Sequence, residues 1–545
     1  MKVLSKFNSF LLIVCFVLTS CGVACVQSKK EKVTERLKVY EAEQMITLNV
    51  KEGGEYVVKD VVDLRGANVI LPANVMITFK KGGAIVNGTL TGNYTRMNSK
   101  AENILGVRLK GTWRVDKIHD IAFNREYLSD DDIINNINTI QSDDLNNEVT
   151  ITRDYTVTIP WSGGPGLKLA SNCTLFLNAT LTVAPNDYKV YNIVQIKQKQ
   201  NVKIKGGKIV GDVGRHRYVE GSTSEWGMGV DIEESQDVVL EDLYITKCCG
   251  DGIYISGGNE PSIGVYNHAS RNVTIRNVTC DDNRRQGLSV IHVDGLIVRN
   301  CSFVNTGKTE FTAPGAGIDI EPNVKNERNQ SVKNVVIDNC IIKNNKGMAV
   351  ANSVSYEFDG KVNHENILYS NCSTDGLLKC ASADVTFRNC SFKEAIISSL
   401  YTASHIVFEN STIAGGYGVM INTPSVSGTE NINRKLSLIF RGCMLSSDNG
   451  TDETNALISC IKPYHVQNIE KVVFDECRLE LLSSEYESRS LTSTSFKDKL
   501  VIKSSEIQMP GIDFDANGIQ MNKNTIRCRR AKGLPANSKD KVIIE

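Results

Sequence analysis

The sequence lacks an excess of charge of either sign, because 62 lysines and arginines balance 62 aspartates and glutamates across 545 residues. This balance argues against a nucleic-acid partner and against attraction to an acidic surface. After the N-terminal 30 residues, the chain also lacks an apolar run long enough to cross a membrane. We therefore expect a globular body that does not bind nucleic acid.

Helical periodicity is nearly absent as well, and turn pairs such as Asn-Gly, which close β-hairpins, are scarce. The scarcity of hairpin turns argues against a β-sandwich. The chain has instead a recurring frame of glycine, apolar residue, any residue and apolar residue, which is typical of a short strand with one buried face. The frame begins at five glycines that lie 23, 35, 30 and 30 residues apart: Gly229, Gly252, Gly287, Gly317 and Gly347.

A second family of strands recurs between these frames. Its members include Asn272–Val278, Gly295–Cys301 and Asn334–Cys340, and each joins a strand to a polar bend where Asn can adopt left-handed geometry. Recurrence at such periods, with loops of variable length, indicates a solenoid in which each coil buries its apolar face against its neighbours. We therefore predict an all-β fold, a right-handed single-stranded parallel β-helix.

The 16 cysteines are numerous, and six of them occupy one position of the second strand family. In stacked coils these six would form an inward column with a spacing of about 4.8 Å. Disulfides and a metal site are the alternatives, but the column lacks C-x-x-C spacing, and we predict buried thiols and no metal ligands. The column contains Cys301, Cys340, Cys372, Cys390, Cys443 and Cys477.

The pattern divides the chain into regions. Residues 46–149 are predicted to form an N-terminal β-rich region with a capping helix, residues 150–509 the β-helix, and residues 510–545 C-terminal strands and a tail. Within Asp130–Leu145, four isoleucines share one helical face, and the acidic start is typical of an N-terminal cap. Such a helix would cover the open end of the solenoid.

The first residues are typical of an export signal. A basic start is followed by an apolar stretch over 10–18. The tetrapeptide Leu18-Thr19-Ser20-Cys21 then resembles a bacterial lipobox, such as those of Bacteroidetes lipoproteins. That resemblance implies a signal peptide over 1–20, a lipidated Cys21, a linker over 21–45, and an exported protein anchored to the outer membrane.

Two carboxylates in the fourth frame are the strongest candidates for chemistry. Since Ile318 and Ile320 must fill the core, Asp319 and Glu321 face outward on one strand, with Cα atoms about 6.6–7 Å apart. A carboxylate pair separated by roughly 6.5–9.5 Å suits inverting glycoside hydrolysis, and close carboxylates raise one pKa, as a general acid requires. A calcium site or two solvated acids are the alternatives. Asp251, which enters the second frame, is a third catalytic candidate.

The loops that lead into these strands carry further polar and aromatic residues. Paired arginines and aspartates could form structural ion pairs, or they could bind an acidic sugar, because Arg binds carboxylates in a bidentate manner. An aromatic side chain beside a polar cleft can stack on a sugar ring or can be packed in the core. The candidate substrate-binding residues are Asp281, Asp282, Arg284, Arg285, Gln286, His292, Tyr254 and Trp226.

Two runs, Asp281–Val290 and Ala313–Asn323, resemble a bacterial subgroup of right-handed β-helix repeat proteins, and the body from Thr150 onward resembles the pectate-lyase-like superfamily. The architecture is similar to that of polygalacturonases, which carry Gly-Asp-Asp, Gly-His-Gly and Arg-Ile-Lys before successive strands. Of these, only Asp251 has a counterpart here, in Gly250-Asp251-Gly252. Lyases of the superfamily use Arg or Lys as the base, with Ca²⁺ held by acids.

The resemblance and the carboxylate pair together predict an enzyme that cleaves a polysaccharide or oligosaccharide, with hydrolysis favoured. A calcium-assisted lyase for uronic-acid glycans is the alternative within enzymes. A non-catalytic glycan-binding or envelope protein is the alternative outside them. The sequence does not identify the sugar or the linkage, because fold likeness alone does not determine function.

Overall fold

A computed structural model describes residues 50–544 apart from short gaps at 99–103, 261–264, 267, 323–329, 354–363, 382–383, 399–402, 417, 423–434, 448–455, 461–466, 482–489, 493–495, 497, 514–518 and 533–538. The predictions for the signal peptide, Cys21 and the 21–45 linker lie outside these residues. No helix in the described part of the chain is long and apolar enough to span a membrane.

Three long parallel sheets form most of the molecule, with 12, 15 and 15 strands. We call them sheet 1, sheet 2 and sheet 3. The chain passes through the sheets in turn, so that each strand pairs with the equivalent strand of the next coil, as Leu288 pairs with Ile318 in sheet 1. The apolar residues of all three sheets point into one continuous core. The predicted parallel β-helix is thereby confirmed.

Sheet 1 contains Pro165–Lys168, Val190–Lys197, Trp226–Glu233, Asp251–Ser256, Gln286–Val290, Ala316–Ile320, Val350–Asn352, Leu377–Cys380, Glu394–Ser398, Val419–Asn422, Ala456–Cys460 and Ser490–Thr492. Sheet 2 contains Lys117–His119, Asn147–Ile151, Cys173–Leu177, Gln200–Lys205, Gln236–Glu241, Ser270–Arg276, Val293–Arg299, Val332–Asp338, His364–Ser370, Asp384–Arg388, Ser404–Glu409, Leu436–Arg441, Ile469–Asp475, Leu500–Lys503 and Ile519–Asn522. Sheet 3 contains Tyr155–Val157, Thr180–Val183, Lys208–Val210, Tyr244–Thr246, Thr279–Asp281, Ser302–Val304, Ile341–Lys343, Ser373–Thr374, Ser391–Phe392, Thr412–Ala414, Met444–Ser447, Arg478–Leu481, Glu506–Asp513, Thr525–Lys532 and Lys541–Ile544.

In six coils asparagine makes the bend between sheets 2 and 3, as the sequence predicts. At this bend the side-chain amides stack between coils, and Asn339 Nδ2 donates to Asn300 Oδ1 at 2.8 Å. The left-handed backbone is costly for most side chains, and Asn tolerates it better than other non-glycine residues. The bend residues with φ between 49° and 55° include Asn277, Asn300, Asn339, Asn371, Asn389 and Asn410.

The predicted column of buried thiols lies just inside this bend. All 13 cysteines in the described residues are free and buried. Each thiol of the column donates to the carbonyl two residues earlier, as Cys340 Sγ does to Asp338 O at 3.4 Å. Ser411 takes the same position in another coil, and its hydroxyl donates to Glu409 O at 2.9 Å. The column therefore requires a small side chain with one donor, which either Cys or Ser supplies.

We expect Cys340→Ser to change the free energy of unfolding by about 1 kcal/mol or less, because the hydroxyl can donate to the same carbonyl. Cys340→Ala should cost about 1 kcal/mol more than the serine variant, because it leaves that carbonyl with one donor fewer. Urea denaturation of the three proteins measures the difference. A serine variant less stable than the alanine variant would contradict this account of the column.

The one α-helix among the described residues, α1 (Asp130–Ile140), covers the N-terminal end of the solenoid. Ser129 and Asp132 form a capping box at its start, and the predicted isoleucine face is buried. Asp130 and Asp131 accept hydrogen bonds from the amides of Thr156 and Thr158, on and beside the first strand of sheet 3. The acidic run therefore caps the helix and occupies the unpaired edge of the solenoid, which protects that edge from pairing with other chains.

Further strands lie at both ends of the described chain. A sheet of 6 strands precedes the solenoid: Glu55–Val58, Val61–Asp63, Asn68–Ile70, Met76–Phe79, Ala84–Asn98 and Ile104–Arg114. A 3₁₀ helix, Asp120–Ala122, follows it, and one antiparallel hairpin pairs Asn259–Glu260 with Val265–Tyr266. Residues after 510, which the sequence described only as strands and a tail, supply the last strands of sheets 2 and 3.

Candidate functional site

The outward face of sheet 1 carries the column of side chains that contains Asp319. Ile318 and Ile320 are fully buried in the core, so that Asp319 between them faces away from it. Backbone pairing aligns Asp319 with Ser289 on one side and with Ala351 on the other. In chain order the column reads Asp231, Tyr254, Ser289, Asp319, Ala351 and Lys379. The alternation of apolar residues predicts the first four positions correctly.

The structure corrects the strand register predicted for the frame that begins at Gly347. The sequence placed Ala349 beside Asp319, whereas Ala351 lies there and Val350 lies opposite Ile318. Gly347 belongs to the loop before the strand, because its amide donates to Gly315 O at 3.0 Å. A Cβ at Gly347 would lie 1.8 Å from the carbonyl oxygen of Pro314, so this glycine permits a close approach of two loops.

The glycines of the other frames turn the residue before them toward the same outward face. A Cβ added at Gly252 would lie 2.9 Å from Cys280 Sγ, and one at Gly317 would lie 2.4 Å from Ile342 Cγ2, both in the core. Each glycine and the apolar residue after it therefore point inward in succession. As a result, Asp251 and the equivalent Gln286 of the next coil lie outward, beside Tyr254 and Ser289.

Arg285 lies at the centre of this face, with its side chain 13% exposed. Its Nη1 is 3.2 Å from Asp251 Oδ2, and its Nε is 3.6 Å from Glu225 Oε2. Its positive charge also acts on Asp319 and Glu321. One guanidinium is thus shared by four carboxylates from two coils and one loop, and an excess of negative charge remains.

Asp319 lies at the floor of the face and is 2% exposed. Gln286 Nε2 donates to Asp319 Oδ2, whereas Asp319 Oδ1 and Gln286 Oε1 are buried without a hydrogen-bond partner. Buried polar atoms in native proteins are nearly always paired, so unpaired oxygens in an outward-facing site are a mark of a place where a ligand or water binds.

The carboxyl groups of this face have raised pKa values. Burial, and next the charge of Glu321, raise the pKa of Asp319 well above its usual range, against the opposing effect of Arg285. Burial also raises the pKa of Glu321, while Arg285 and Lys379 act to lower it. Burial raises the pKa of Asp251 to about 6 even though Arg285 is bound to it. A protonated and an ionised carboxyl group can therefore coexist here near neutral pH.

The sequence profile described as right handed beta helix region matches residues 138–326 and 263–432, which together cover more than half of the chain. The chain belongs to the right-handed β-helix family. It is 29% identical over 297 residues to the SPbeta prophage-derived uncharacterized protein YorA of Bacillus subtilis, a match that covers 53% of this chain and 48% of YorA. The chain thus spans about half the length of that relative.

Two solved structures resemble this β-helix in fold. The A-module of the mannuronan C-5 epimerase AlgE6 of Azotobacter vinelandii is 13% identical, with a TM-score of 0.34, and the match covers 73% of this chain and 89% of that one. The endo-xylogalacturonan hydrolase of Aspergillus tubingensis is 11% identical, with a TM-score of 0.31, over 73% of this chain and 92% of that one.

The structure groups four of the predicted substrate-binding residues of the β-helix with Asp319. Arg285 and Gln286 contact the acidic cluster directly, and Tyr254 occupies the column between Asp231 and Ser289. Trp226 packs edge-on against Tyr254 with ring centroids 6.0 Å apart, and 41% of its surface is exposed. These residues border the outward face on the side of the earlier coils.

The other predicted residues are bound elsewhere. Asp281 accepts hydrogen bonds from Asn305 and Tyr244, and Asp282 accepts two from Thr309. Arg284 Nη1 donates to Thr223 O at 2.8 Å and to the carbonyl of Cys249 at 3.3 Å.

His292 lies at the turn after the strand Gln286–Val290 of sheet 1, where its Nδ1 accepts from the amide of Ser331 at 3.0 Å. Burial lowers the pKa of His292. In the described part of the chain, no hydrogen bond joins Asp281, Asp282, Arg284 or His292 to Asp319 or Glu321.

In a second buried polar cluster, possible ligand atoms of Asp212, His216 and Cys249 are within 4.8 Å of one another. His216 Nδ1 is 2.9 Å from one oxygen of Asp212, and Cys249 Sγ is 3.2 Å from the other. Asp212 also accepts from the Tyr191 hydroxyl and from the backbone and side chain of Asn186. These hydrogen bonds satisfy the carboxylate and explain its burial without an ion.

We expect Asp231→Asn to stabilise the protein at alkaline pH. Burial and the charge of Glu233 raise the pKa of Asp231 to about 7 from an ordinary value of 3.8. The folded state therefore binds this proton more tightly than the unfolded chain does, so stability falls as pH rises from about 4 to about 7. At pH 8 the variant should be more stable than the wild type by on the order of 2–4 kcal/mol, and by little at pH 4.

Melting temperatures measured between these pH values test this prediction, with Asp294→Asn on an exposed strand of sheet 2 as the control. Asp294 is exposed and accepts one hydrogen bond from Asn334. The control should keep the pH dependence of the wild type. If the Asp231→Asn variant keeps the pH dependence of the wild type, ionisation of Asp231 does not destabilise the folded protein, and the prediction is wrong.

Proposed function

We propose that the protein hydrolyses glycosidic bonds of a polysaccharide or oligosaccharide, with Asp319 as the general acid and Glu321 as the general base. The observation that carries the proposal is this pair of carboxyl groups with raised pKa values, Asp319 on the outward side of the strand Ala316–Ile320 and Glu321 directly after its last residue. The more deeply buried Asp319 is the better proton donor, because burial favours its neutral form. Glu321 is partly exposed and can contact a water molecule.

The proposed step consumes one water and breaks one C–O bond. Asp319 donates its proton to the leaving glycosidic oxygen, while Glu321 takes a proton from the water that attacks the anomeric carbon. The amide of Glu321 still donates to Val290 O at 2.9 Å, so the backbone pairing continues past the strand end. Extended residues two apart place their Cα atoms about 6.6–7 Å apart. The two side chains can then separate their carboxyl groups by the roughly 6.5–9.5 Å that leaves room for water between acid and base. Arg285 holds Asp251 and Glu225 and offsets the negative charge left on Asp319 after proton transfer.

The contacts of the arginines favour hydrolysis over elimination. A lyase needs an arginine or lysine that can lose its proton, whereas the acids around Arg285 raise its pKa further. Arg284 is bound to backbone carbonyls. The calcium of such lyases also lacks a fitting set of ligands at Asp281 and Asp282, because the side chains of Asn305, Tyr244 and Thr309 already bind these carboxylates. The proposed hydrolysis therefore uses no calcium ion.

A panel of glycans incubated with the purified protein tests the proposal. Hydrolysis should release reducing ends without the ultraviolet absorbance of the unsaturated sugar that a lyase produces. Absorbance in step with the reducing ends would instead identify a lyase. Neither signal, together with retained glycan binding, would identify a non-catalytic binding protein.

Anchoring is a separate proposal, supported by the Leu18-Thr19-Ser20-Cys21 motif. We expect Cys21→Ser to abolish labelling with palmitate and to move the protein out of the membrane fraction of a bacterial host. Cys25→Ser is the control, because this nearby cysteine lacks the upstream leucine, and it should leave labelling unchanged. A Cys21→Ser protein that still labels and sediments with membranes would contradict the proposal.

A further inference from the structure

The charge on the outward face of sheet 1 is strongly unbalanced. Its carboxyl groups belong to Glu225, Asp231, Asp251, Asp319 and Glu321. In the described residues, the cations whose charge reaches Asp319 and Glu321 are Arg285 and Lys379. Even with one of the carboxyl groups protonated, the face carries more negative than positive charge.

One of the two cations is already paired with acids of this face. The Arg285 side chain is 13% exposed, and its guanidinium is already bound to Asp251 and close to Glu225. Lys379 lies in the same column as Asp319, with only the small Ala351 between them, and its charge is directed at the carboxylates. A sugar carboxylate placed on this face would therefore meet more like charges than cations, an arrangement that costs affinity.

Two unpaired oxygens of the site can accept hydrogen bonds from hydroxyl groups. Asp319 Oδ1 and Gln286 Oε1 are buried oxygens without a partner, on side chains that are 2% and 0% exposed. The Gln286 oxygen can only accept a hydrogen bond, and an ionised carboxylate of a substrate could not supply one. Sugar hydroxyls can supply this hydrogen bond. The exposed ring of Trp226 beside the outward face of sheet 1 offers an apolar surface for the sugar ring.

We propose that the outward face of sheet 1 binds a neutral, hydroxyl-rich glycan and discriminates against chains of uronic acids. This inference rests on the proposed function, since it specifies the substrate of the same face. It departs from the expectation, drawn from the paired arginines, that an acidic sugar binds here. The structure places one of those arginines against backbone carbonyls and the other within a cluster of acids.

Matched pairs of glycans that differ in charge test the inference by binding, independently of cleavage. The pairs are homogalacturonan with and without methyl esterification, and hydroxyethyl against carboxymethyl cellulose, accompanied by unmodified neutral glycans. Titration calorimetry at low salt should show at least one neutral ligand binding about tenfold or more tightly than its charged partner. The difference in affinity within the pair should be smaller at high salt, because salt screens the charges. Equal or tighter binding of the charged partners would overturn the inference.

Two variants test whether this preference arises at the outward face of sheet 1. Glu225→Gln removes one negative charge beside Arg285 and should improve binding of the charged glycans relative to the neutral ones. Glu365→Gln removes the same charge from sheet 2, where Glu365 pairs with Lys333 at 2.9 Å, and should leave the ratio unchanged. If the ratio of the affinities for charged and neutral glycans changes equally in both variants, the net charge of the protein, and not the outward face of sheet 1, sets the preference for neutral glycans.

The outcomes separate this inference from the proposed hydrolysis. Cleavage of uronic-acid chains alone would overturn the neutral-glycan inference and leave hydrolysis intact. Binding of neutral glycans without cleavage of any of them would support the inference and overturn hydrolysis. Failure to bind any member of the panel would contradict both.

Discussion

Replacing Asp319 by Asn is expected to lower kcat by about a thousandfold, because an amide cannot donate a proton to the leaving oxygen. The fold should be retained, since Asn has the same shape and its oxygen can still accept from Gln286 Nε2. The loss should appear in kcat more than in the affinity for the glycan, because the affinity depends on the rest of the outward face of sheet 1. Reducing-end release and calorimetric binding measure the two effects separately.

Glu321→Gln should have a comparable effect on kcat, because the amide cannot take a proton from water. Asp294→Asn provides the matched control on sheet 2, and it should keep wild-type turnover. A near wild-type rate in Asp319→Asn would remove Asp319 from the acid role and transfer it to Asp251, whose pKa burial raises to about 6. The same result in Glu321→Gln would remove the proposed base.

Phe408→Ala is expected to have the largest effect on stability, about 3–5 kcal/mol in the free energy of unfolding. Phe408 is fully buried and stacks between Phe387 and Phe440 with ring centroids 4.9 Å from each. The stack continues to Tyr369 at one end and to Phe474 at the other. Removal of the ring would leave a cavity in the middle of a rigid column, where neighbouring rings cannot collapse without losing their own contacts.

Phe408→Leu is the control, and it should lose less stability because it fills more of the space. Denaturant unfolding measures both variants. Turnover per folded molecule should not change, since Phe408 lies in sheet 2 and has no contact with the outward face of sheet 1. A Phe408→Ala variant within about 1 kcal/mol of the wild type would mean that the ring column does not hold the coils together.

The parts of the fold that repeat could be predicted from the sequence. The alternation at Ile318 and Ile320 determines which side chains enter the core, and so it places Asp319 outward beside Ser289. Asparagine and cysteine recur at one bend because each coil repeats the same backbone geometry there. In both cases a local rule, applied coil by coil, is sufficient.

The site itself depends on features that do not repeat. Glu225 comes from a loop far from Asp319 in sequence, and Lys379 lies two coils away, past Ala351, where its charge acts on the acids. No periodicity predicts such contacts. Two successive inward residues, as at Gly252 and Ile253, turn Asp251 outward against simple alternation. The glycines of the frame were the available signal, because only glycine leaves room for this turn in a packed core.

The central claim is that the Asp319 and Glu321 face adds water across a glycosidic bond. The most direct test is mass spectrometry of the fragments that the protein releases from a neutral glycan in water enriched in heavy oxygen. Hydrolysis predicts one heavy oxygen in each newly formed reducing end, and no such fragments from Asp319→Asn. Fragments that carry no heavy oxygen and contain an unsaturated sugar, or labelled fragments at the full rate from Asp319→Asn, would contradict the claim.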